Sequence, residues 1–326
     1  MQRSAPCMRE YARNHVGAVH PPKVAILLST FNGAEFLAAQ LHSIGAQSHD
    51  NWHIHASDDG SSDRTRELLL DYQRQLGTWR LTLYSGPRQG PAANFLSLLR
   101  RTDIAADYFA YCDQDDIWEP HKLEKSLEWS RRYSREYPTL YCSRTRLVDR
   151  QGMPIGTSPL FAKPASFANA LVQSLAGGNT MLFNGRTREL LARVDARQPV
   201  VAHDWLTYMV VSGCAGTVYY DPEPLVLYRQ HGGNMVGSNS NLKDRWLRIR
   251  KMLAGTFRQW NEANLRLLRP LRPLLSTRNQ RILDQFDNAR GARLPVRLLA
   301  LRRAGVYRQT LLGNLGLLVA ALLNKI

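Results

Sequence analysis

The sequence predicts an α/β fold with a mostly parallel, Rossmann-like sheet, helices on both faces, and a basic helical region behind it. Short apolar runs alternate four times with segments of helical periodicity between residues 23 and 133. Acidic clusters directly follow two of the predicted strands. Of the net charge of +16, +14 lies in residues 241–326, where 18 Lys and Arg stand against 4 Asp and Glu. We therefore expect a flexible leader at 1–22, a near-neutral domain at 23–240 and a basic amphipathic helical region at 241–326.

In the first half of the domain, the sequence predicts four strand–helix units. The strands are expected at 23–29, 52–57, 81–84 and 108–112, and the helices at 35–47, 63–76, 91–100 and 119–133. Ser62 or Asp63 is expected to cap the second helix. Such alternation favours a doubly wound parallel sheet, whose ligands bind outside the carboxyl ends of the strands.

The second half of the chain is less regular. Further strands are expected at 139–143, 179–183 and 224–228, with a turn at Gly177 and Gly178 and a helix from near His203. The basic region begins with an apolar stripe of helical spacing, formed by Leu242, Trp246, Ile249, Met252, Leu253 and Phe257. The apolar run at 311–323 is 13 residues long, whereas a membrane-spanning helix needs about 20.

Composition excludes several classes of protein. The four cysteines are scattered and include no C-x-x-C pair, which argues against a disulfide framework and a zinc site and favours a reducing cytosol. Residues 1–20 lack the continuous apolar core of a signal peptide. The basic charge lies outside the motif-bearing segment, so no nucleic-acid partner is expected.

The Asp113-Gln114-Asp115-Asp116 cluster follows the fourth strand. Its carboxylates repel one another unless a positive charge lies among them. Mg²⁺ or Mn²⁺, held by one or two carboxylates and completed by phosphates and water, meets that need. A solvated acidic turn that caps the next helix is the alternative.

Three other polar segments are candidates for chemistry. Asp58, at the end of the second strand, could accept a hydrogen bond from a pyrimidine ring, or the cluster could only cap a helix. Asp204, beside His203 and Trp205, could be a general base for a sugar hydroxyl or a helix N-cap. Arg229-Gln230-His231 offers a cation and an imidazole, although a lone histidine is more often structural.

In order along the chain, these pieces resemble the GT-A-fold glycosyltransferases of family 2. The matching segments span residues 24 to about 239 and are Ser29-Thr30-Phe31-Asn32-Gly33 with Glu35; residues 58–63; Gly90 with Asn94; residues 113–118; Gly178-Asn179-Thr180; His203-Asp204-Trp205; and Tyr228-Arg229-Gln230-His231. The forms D-Q-D-D-I-W, H-D-W and Y-R-Q-H are most similar to bacterial rhamnosyltransferase-type members. One departure is Ala93, where many members have an arginine whose phosphate contact Arg88 or Arg229 would have to replace.

The resemblance implies roles for individual residues. The residues on the nucleotide-sugar side are Thr30, Asn32, Glu35, Asp58, Asn94, Asp113 and Arg229. The metal ligands are Asp115, Asp113 and His231. Asp204 is the catalytic base, and the residues that border the acceptor are Gly178, Asn179 and Trp205.

The resemblance also implies an inverting transfer that needs Mg²⁺ or Mn²⁺. The expected donor is dTDP-L-rhamnose, and the acceptor is a hydroxyl of a lipid-linked or polysaccharide glycan. A UDP-hexose or UDP-N-acetylhexosamine donor is the alternative. A nucleotidyltransferase that forms nucleotide-sugars is a weaker alternative for the class of enzyme. In such enzymes the loop after the first strand normally carries a basic residue, and residues 30–34 of this chain have none.

The expected location is the cytoplasmic face of the cell membrane, with peripheral attachment. Basic amphipathic helices bind anionic membrane surfaces, so the region at 241–326 is the expected membrane contact. Helices that only pack on the domain and expose a solvated basic face are the alternative.

Overall fold

The computed structural model describes residues 20–195, 197–231, 250 and 255–326. The strands are β1 Val24–Thr30, β2 Trp52–Asp58, β3 Leu81–Ser85, β4 Tyr108–Asp113, β5 Ile117–Trp118, β6 Thr139–Ser143, β7 Arg146–Val148, β8 Pro154–Thr157, β9 Leu182–Asn184, β10 Thr217–Asp221 and β11 Val226–Arg229. The helices are α1 Leu37–Gly45, α2 Thr65–Leu76, α3 Pro91–Leu99, α4 Lys122–Ser130, α5 Phe167–Ala170, α6 Gly185–Ala192, α7 His203–Gly213, α8 Thr256–Leu268, α9 Thr277–Gly291, α10 Leu294–Ala304 and α11 Leu311–Leu322. Two 3₁₀ turns lie at Gly178–Thr180 and Arg272–Leu274.

The central sheet has seven strands in the order β10-β6-β9-β4-β1-β2-β3. Only β9 runs antiparallel to its neighbours, so the expectation of a mostly parallel sheet is confirmed. Ser29 of β1 lies opposite Ser57 of β2 and Asp113 of β4. Asp58 and Asp113 therefore lie on either side of the end of β1, at the edge where parallel sheets bind ligands.

Both faces of the sheet are covered. Ala25 and Leu27 of β1 belong to one apolar core, and Val24, Ile26 and Leu28 belong to the other. The first core includes side chains of α3 and α7, and the second includes side chains of α1, α2 and α4. A strand buried on both faces reads as a continuous apolar run, which is why β1 could be predicted from sequence.

A second, four-stranded sheet in the order β5-β11-β7-β8 was not predicted. Strand β5 follows the acidic cluster directly and pairs antiparallel with β11, Leu227 lying opposite Ile117. The pairing draws the end of β11, and Arg229 with it, against the carboxyl edge of β4.

Two local predictions need correction. The strand expected at 179–183 is a 3₁₀ turn at Gly178–Thr180 followed by β9, because Thr180 and Met181 donate their N–H groups back to Gly177 and Gly178. The N-cap of α2 is Arg64 rather than Ser62 or Asp63, although the Asp63 carboxylate accepts the N–H of Thr65.

The basic region is helical where it is described, with α8 to α11 between Thr256 and Leu322. Most of the predicted stripe at 242–257, and residues 1–19 of the predicted leader, lie outside the described residues. The backbone carbonyls of Pro21 and Pro22 accept hydrogen bonds from Asn51 and His49, so the end of the predicted leader is attached to the domain. None of the described helices combines the length and apolar character needed to cross a bilayer.

Candidate active site

Three carboxylates crowd together at the end of β4. Burial, followed by the charges of Asp115 and Asp204, raises the pKa of Asp113 to about 8. Burial, followed by the charges of Asp115 and Asp113, also holds the pKa of Asp116 well above its ordinary value. Asp204 comes from α7, about 90 residues further along the chain, so the tertiary structure brings the separated acidic motifs into electrostatic contact.

The residues at this edge fit a divalent cation. Asp115 Oδ2 lies 2.7 Å from His231 Nε2, so the predicted oxygen and nitrogen ligands face each other. Within the described ranges, no group of three or more His, Cys, Asp and Glu side chains has the geometry of a metal site. Mg²⁺ sites commonly use one or two carboxylates and take their remaining ligands from substrate phosphates and water. A cation beside Asp113 and Asp115 would also relieve the repulsion that raises the pKa of Asp113.

Asp204 lies in the first turn of α7, whose N-cap is Ala202. The backbone N–H of Trp205 donates to Asp204 Oδ1 at 2.6 Å. Burial raises the pKa of Asp204, the backbone N–H groups of Trp205 and Gly178 partly oppose that rise, and the resulting pKa is about 6. A carboxylate with a raised pKa is a better proton acceptor near neutral pH than an ordinary aspartate.

Close packing of His203 against Gly178 holds the start of α7. The His203 ring stacks on Phe95 at 4.0 Å and meets Tyr111 edge-on at 4.6 Å. Burial lowers the pKa of His203 to about 3, so the imidazole is neutral. A Cβ atom on Gly178 would lie 2.3 Å from His203 Nε2, so only glycine fits there without displacing the ring.

We therefore expect Gly178→Ala to lower turnover by about tenfold or more, because displacement of the base by about 1 Å can cost a factor of 10². The cause is displacement of His203 and its neighbour Asp204, which a transfer assay with thermal unfolding of the same samples would detect. Gly185→Ala is the control, since a Cβ there meets no atom within 4 Å. Unchanged turnover in Gly178→Ala would contradict the positioning role of this contact.

On the predicted nucleotide-sugar side of the site, hydrogen bonds join the loops after β1 and β2. Thr30 Oγ1 donates to Asp58 Oδ1 at 3.1 Å, and Ser61 donates to both oxygens of the same carboxylate. Asn32 Oδ1 accepts the N–H of Ser62 at 2.8 Å. Thr30, Asn32 and Asp58 thus form one connected wall.

Glu35 contacts the loop between β7 and β8 of the second sheet. It forms a two-point ion pair with Arg150, at 2.7 Å from Nε and 2.5 Å from Nη2. The carbonyl of Arg150 accepts from Nη1 of Arg229 at 2.7 Å. Arg150 has no motif signal, so sequence reasoning missed it.

Arg229 connects three segments of the site. Its Nε donates to the carbonyl of Asp115 at 3.0 Å, and its backbone N–H donates to Asp116 Oδ1. Its guanidinium lies 4.9 Å from the ring centroid of Phe36, which also packs against the ring of His231. These contacts bring the two predicted loops 113–116 and 229–231 together.

Several predicted site residues are buried, and three of them form hydrogen bonds that hold the site together. Asn94 is fully buried and hydrogen-bonds Ser29 and Ser57, which ties the ends of β1 and β2 together. Trp205 is buried, and its indole N–H donates to the carbonyl of Ala170 at 2.6 Å. Asn179 is buried and donates its amide to Asp116. In the structure these side chains hold the site's loops and helix, and their roles beside the nucleotide-sugar and the acceptor stay predictions.

The structure adds two carboxylates whose roles the sequence did not indicate. Asp116 accepts from both Asn179 and the backbone of Arg229, so it joins the 3₁₀ turn to β11. Asp59 accepts the backbone N–H groups of Arg88 and Gly90, at 2.7 and 2.8 Å, and shapes the loop before α3. The exposed side chain of Arg88 runs past Gly60 beside this loop.

Comparison with known proteins identifies similar glycosyltransferases. Residues 25–151 match the family model "Glycosyl transferase family 2". The "dTDP-rhamnosyl transferase RfbG" of Shigella flexneri is 28% identical over 235 residues, which are 68% of this chain and 78% of that protein. The "Putative teichuronic acid biosynthesis glycosyltransferase TuaG" of Bacillus subtilis is 25% identical over 230 residues, 71% of this chain and 85% of that protein.

Among solved structures, the mannosyltransferase PcManGT from Pyrobaculum calidifontis in complex with GDP-Man and Mn²⁺ superimposes with a TM-score of 0.50. The match covers 94% of this chain and 88% of that one at 16% identity. At that identity the likeness concerns the fold alone.

Proposed function

We propose that this chain, whose residues 25–151 match the family 2 glycosyltransferase model, transfers a sugar from a nucleotide-sugar to a glycan hydroxyl with inversion, aided by Mg²⁺ or Mn²⁺. The chain has the GT-A fold of that family. The observation that supports the proposal most strongly is the electrostatic contact of Asp113 with both Asp115 and Asp204. Candidate ligands of a diphosphate-bound cation and a candidate base therefore belong to one acidic group.

In the proposed reaction, Asp204 accepts the proton of the acceptor hydroxyl as its oxygen attacks the anomeric carbon of the donor. Attack comes from the face opposite the leaving nucleotide, so one displacement inverts the anomeric configuration. The raised pKa of Asp204 increases its affinity for the transferred proton. Arg229, held by the backbone of Asp115 and Arg150, supplies positive charge beside the predicted diphosphate position.

The cation would be held by Asp113 and Asp115, with His231 as a third candidate ligand. When bound, it would supply positive charge to the departing diphosphate. The feature of this chain that favours cation binding is the negative charge of Asp115 beside the buried Asp113, which adds to the rise in the pKa of Asp113.

The proposed donor is dTDP-L-rhamnose, as in the name of the Shigella relative. Asp58, held by Thr30 and Ser61, is the proposed contact for the pyrimidine base. A UDP-hexose or UDP-N-acetylhexosamine donor is the alternative, because a pyrimidine contact of this kind accepts both thymine and uracil.

The proposed pathway is assembly of cell-surface polysaccharide, and the Bacillus relative, named as a putative teichuronic acid biosynthesis glycosyltransferase, supports it. We propose a lipid-linked or polysaccharide acceptor and a peripheral position at the cytoplasmic face of the membrane. The strong basic charge beyond residue 240 supports that position, because anionic lipids attract Lys and Arg.

The test is a screen of nucleotide-sugars with Mg²⁺ or Mn²⁺, read by thermal shift and by slow donor hydrolysis. We expect dTDP-L-rhamnose to raise the melting temperature in a metal-dependent way, with GDP-mannose as the purine control. A larger response to UDP-sugars would replace the proposed donor. No response to any pyrimidine nucleotide-sugar, with or without metal, would contradict the proposed function.

A further inference from the structure

The last helix of the chain, α11, presents an apolar face to solvent. Its exposed face consists of Leu311, Leu312, Leu315, Leu318, Val319, Leu322 and Leu323. These side chains are 40–82% exposed and recur at the spacing of one helical face. Soluble monomers rarely expose so continuous an apolar surface unless it binds something.

The helix is well anchored, so its exposed leucines do not belong to a loosely attached end. Thr310 caps it by accepting the N–H of Gly313 at 3.0 Å. Leu317, Ala320 and Ala321 are buried on the opposite face. The buried guanidinium of Arg297 on α10 donates to the carbonyl of Ala321 at 2.9 Å.

The positive charge of the residues near this face indicates which kind of partner it binds. Residues 288–326 contain seven Lys and Arg and no Asp or Glu. The side chains of Arg302 and Arg303 on α10 and of its N-cap residue Arg293 are exposed. Helix α10 also has exposed apolar residues at Leu294, Val296 and Leu299. A second copy of so basic a surface would be repelled, whereas an anionic surface would be attracted.

We propose that α10 and α11 form a lipid-binding surface, in which α11 lies parallel to an anionic bilayer with its leucines among the acyl chains. The proposal rests on the proposed membrane location and names the element that makes the contact. At 12 residues, α11 suits the plane of the interface and is too short to span the bilayer, which needs about 20 residues. The exposed arginines of α10 would lie at the headgroup level, where each basic residue adds attraction to anionic lipid.

A polar network attaches this surface to the helix that carries the candidate base. The connection between α10 and α11 docks on α5, where Asn169 donates to the carbonyl of Tyr307 at 2.8 Å. Asn169 and Ser166 in turn bond the hydroxyl of Tyr208 on α7. The lipid-binding surface therefore has a fixed position relative to Asp204, which suits an acceptor carried on a lipid.

The experiment is co-sedimentation of the full chain with vesicles of phosphatidylcholine alone or with 30 mol% phosphatidylglycerol. We expect the wild-type protein to bind the anionic vesicles at low salt and to be released by high salt. The double variant Leu315→Gln/Leu322→Gln is expected to bind the anionic vesicles about tenfold or more weakly, since buried apolar area determines such binding. Both side chains are exposed, so its melting temperature is expected to stay unchanged.

Two controls distinguish loss of lipid binding from a general effect of the substitutions. Met153→Gln/Ile155→Gln removes two equally exposed apolar side chains from the β7–β8 hairpin and is expected to bind like wild type. Donor hydrolysis is expected to be the same in all variants, so loss of vesicle binding with intact hydrolysis separates this inference from the proposed function. Wild-type vesicle binding by the α11 variant, equal binding to neutral vesicles, or a change from dimer to monomer in that variant would each overturn the proposal.

Discussion

Replacing Asp204 by asparagine is expected to lower kcat by about 10²–10⁴-fold, the usual contribution of a general base. The amide has nearly the same shape and still accepts the N–H of Trp205, but it cannot take up the acceptor proton. The dissociation constant of the donor, measured by calorimetry, is expected to change little because Asp204 acts on the acceptor. Asp71→Asn is the matched control, since Asp71 is exposed on α2 and pairs with Arg74.

The pH profile gives an independent readout of the same residue. Asp204 must be ionised to act as a base, and its pKa is about 6. We expect kcat/KM to fall about tenfold per pH unit below that value and to level off above it. A cation at Asp113 and Asp115 would move this limb to lower pH. With saturating metal, the midpoint of the limb is therefore expected at or below pH 6. A variant Asp204→Asn with wild-type turnover, or with the same acidic limb, would exclude Asp204 as the base.

Replacing Asp115 by asparagine is expected to lower kcat/KM by about 10²–10³-fold at a fixed metal concentration, because charge stabilisation by a bound cation is worth several kcal/mol. The substitution keeps the volume of the side chain and removes one negative charge from the proposed cation site. It also removes the charge that helps to raise the pKa of Asp113. The midpoint of activation by Mn²⁺, titrated after removal of metal by a chelator, is expected to move to higher concentration.

Glu128→Gln is the control for Asp115, because Glu128 is exposed on α4 and pairs with Arg132. It is expected to keep the wild-type Mn²⁺ midpoint. Full activity of the wild-type protein after removal of metal would contradict the proposed cation. An unchanged Mn²⁺ midpoint in Asp115→Asn would instead remove Asp115 from the ligand set.

The site shows how far a sequence motif can be trusted for an individual residue. The resemblance places Asn94 on the nucleotide-sugar side and Trp205 beside the acceptor, and these roles stay predictions. In the structure, Asn94 bonds the ends of β1 and β2, and Trp205 packs on α5. Their chemistry suits contact with a sugar or a nucleotide, but a motif cannot indicate whether a side chain faces the ligand or the core. Burial and hydrogen-bond partners decide that, and these are properties of the folded chain.

By itself, the sequence determined the features that depend on near neighbours along the chain. The alternation of apolar runs and helical segments predicts the parallel sheet, because burial of a strand on both faces requires continuous apolar residues. The rule that ligands lie beyond the carboxyl ends of parallel strands then places Asp58 and Asp113 at one edge. The split in charge beyond residue 240 predicts a basic helical region.

The tertiary structure alone decided the features that depend on pairing between distant segments. The second sheet joins β5 to β11 across more than 100 residues and brings Arg229 against Asp115 and Asp116. The contact between Gly178 and His203, the ion pair of Glu35 with Arg150 and the outward leucines of α11 follow from such packing. Short strands and single contacts leave no periodic pattern in the sequence, because their stability comes from the surfaces they meet in the folded protein.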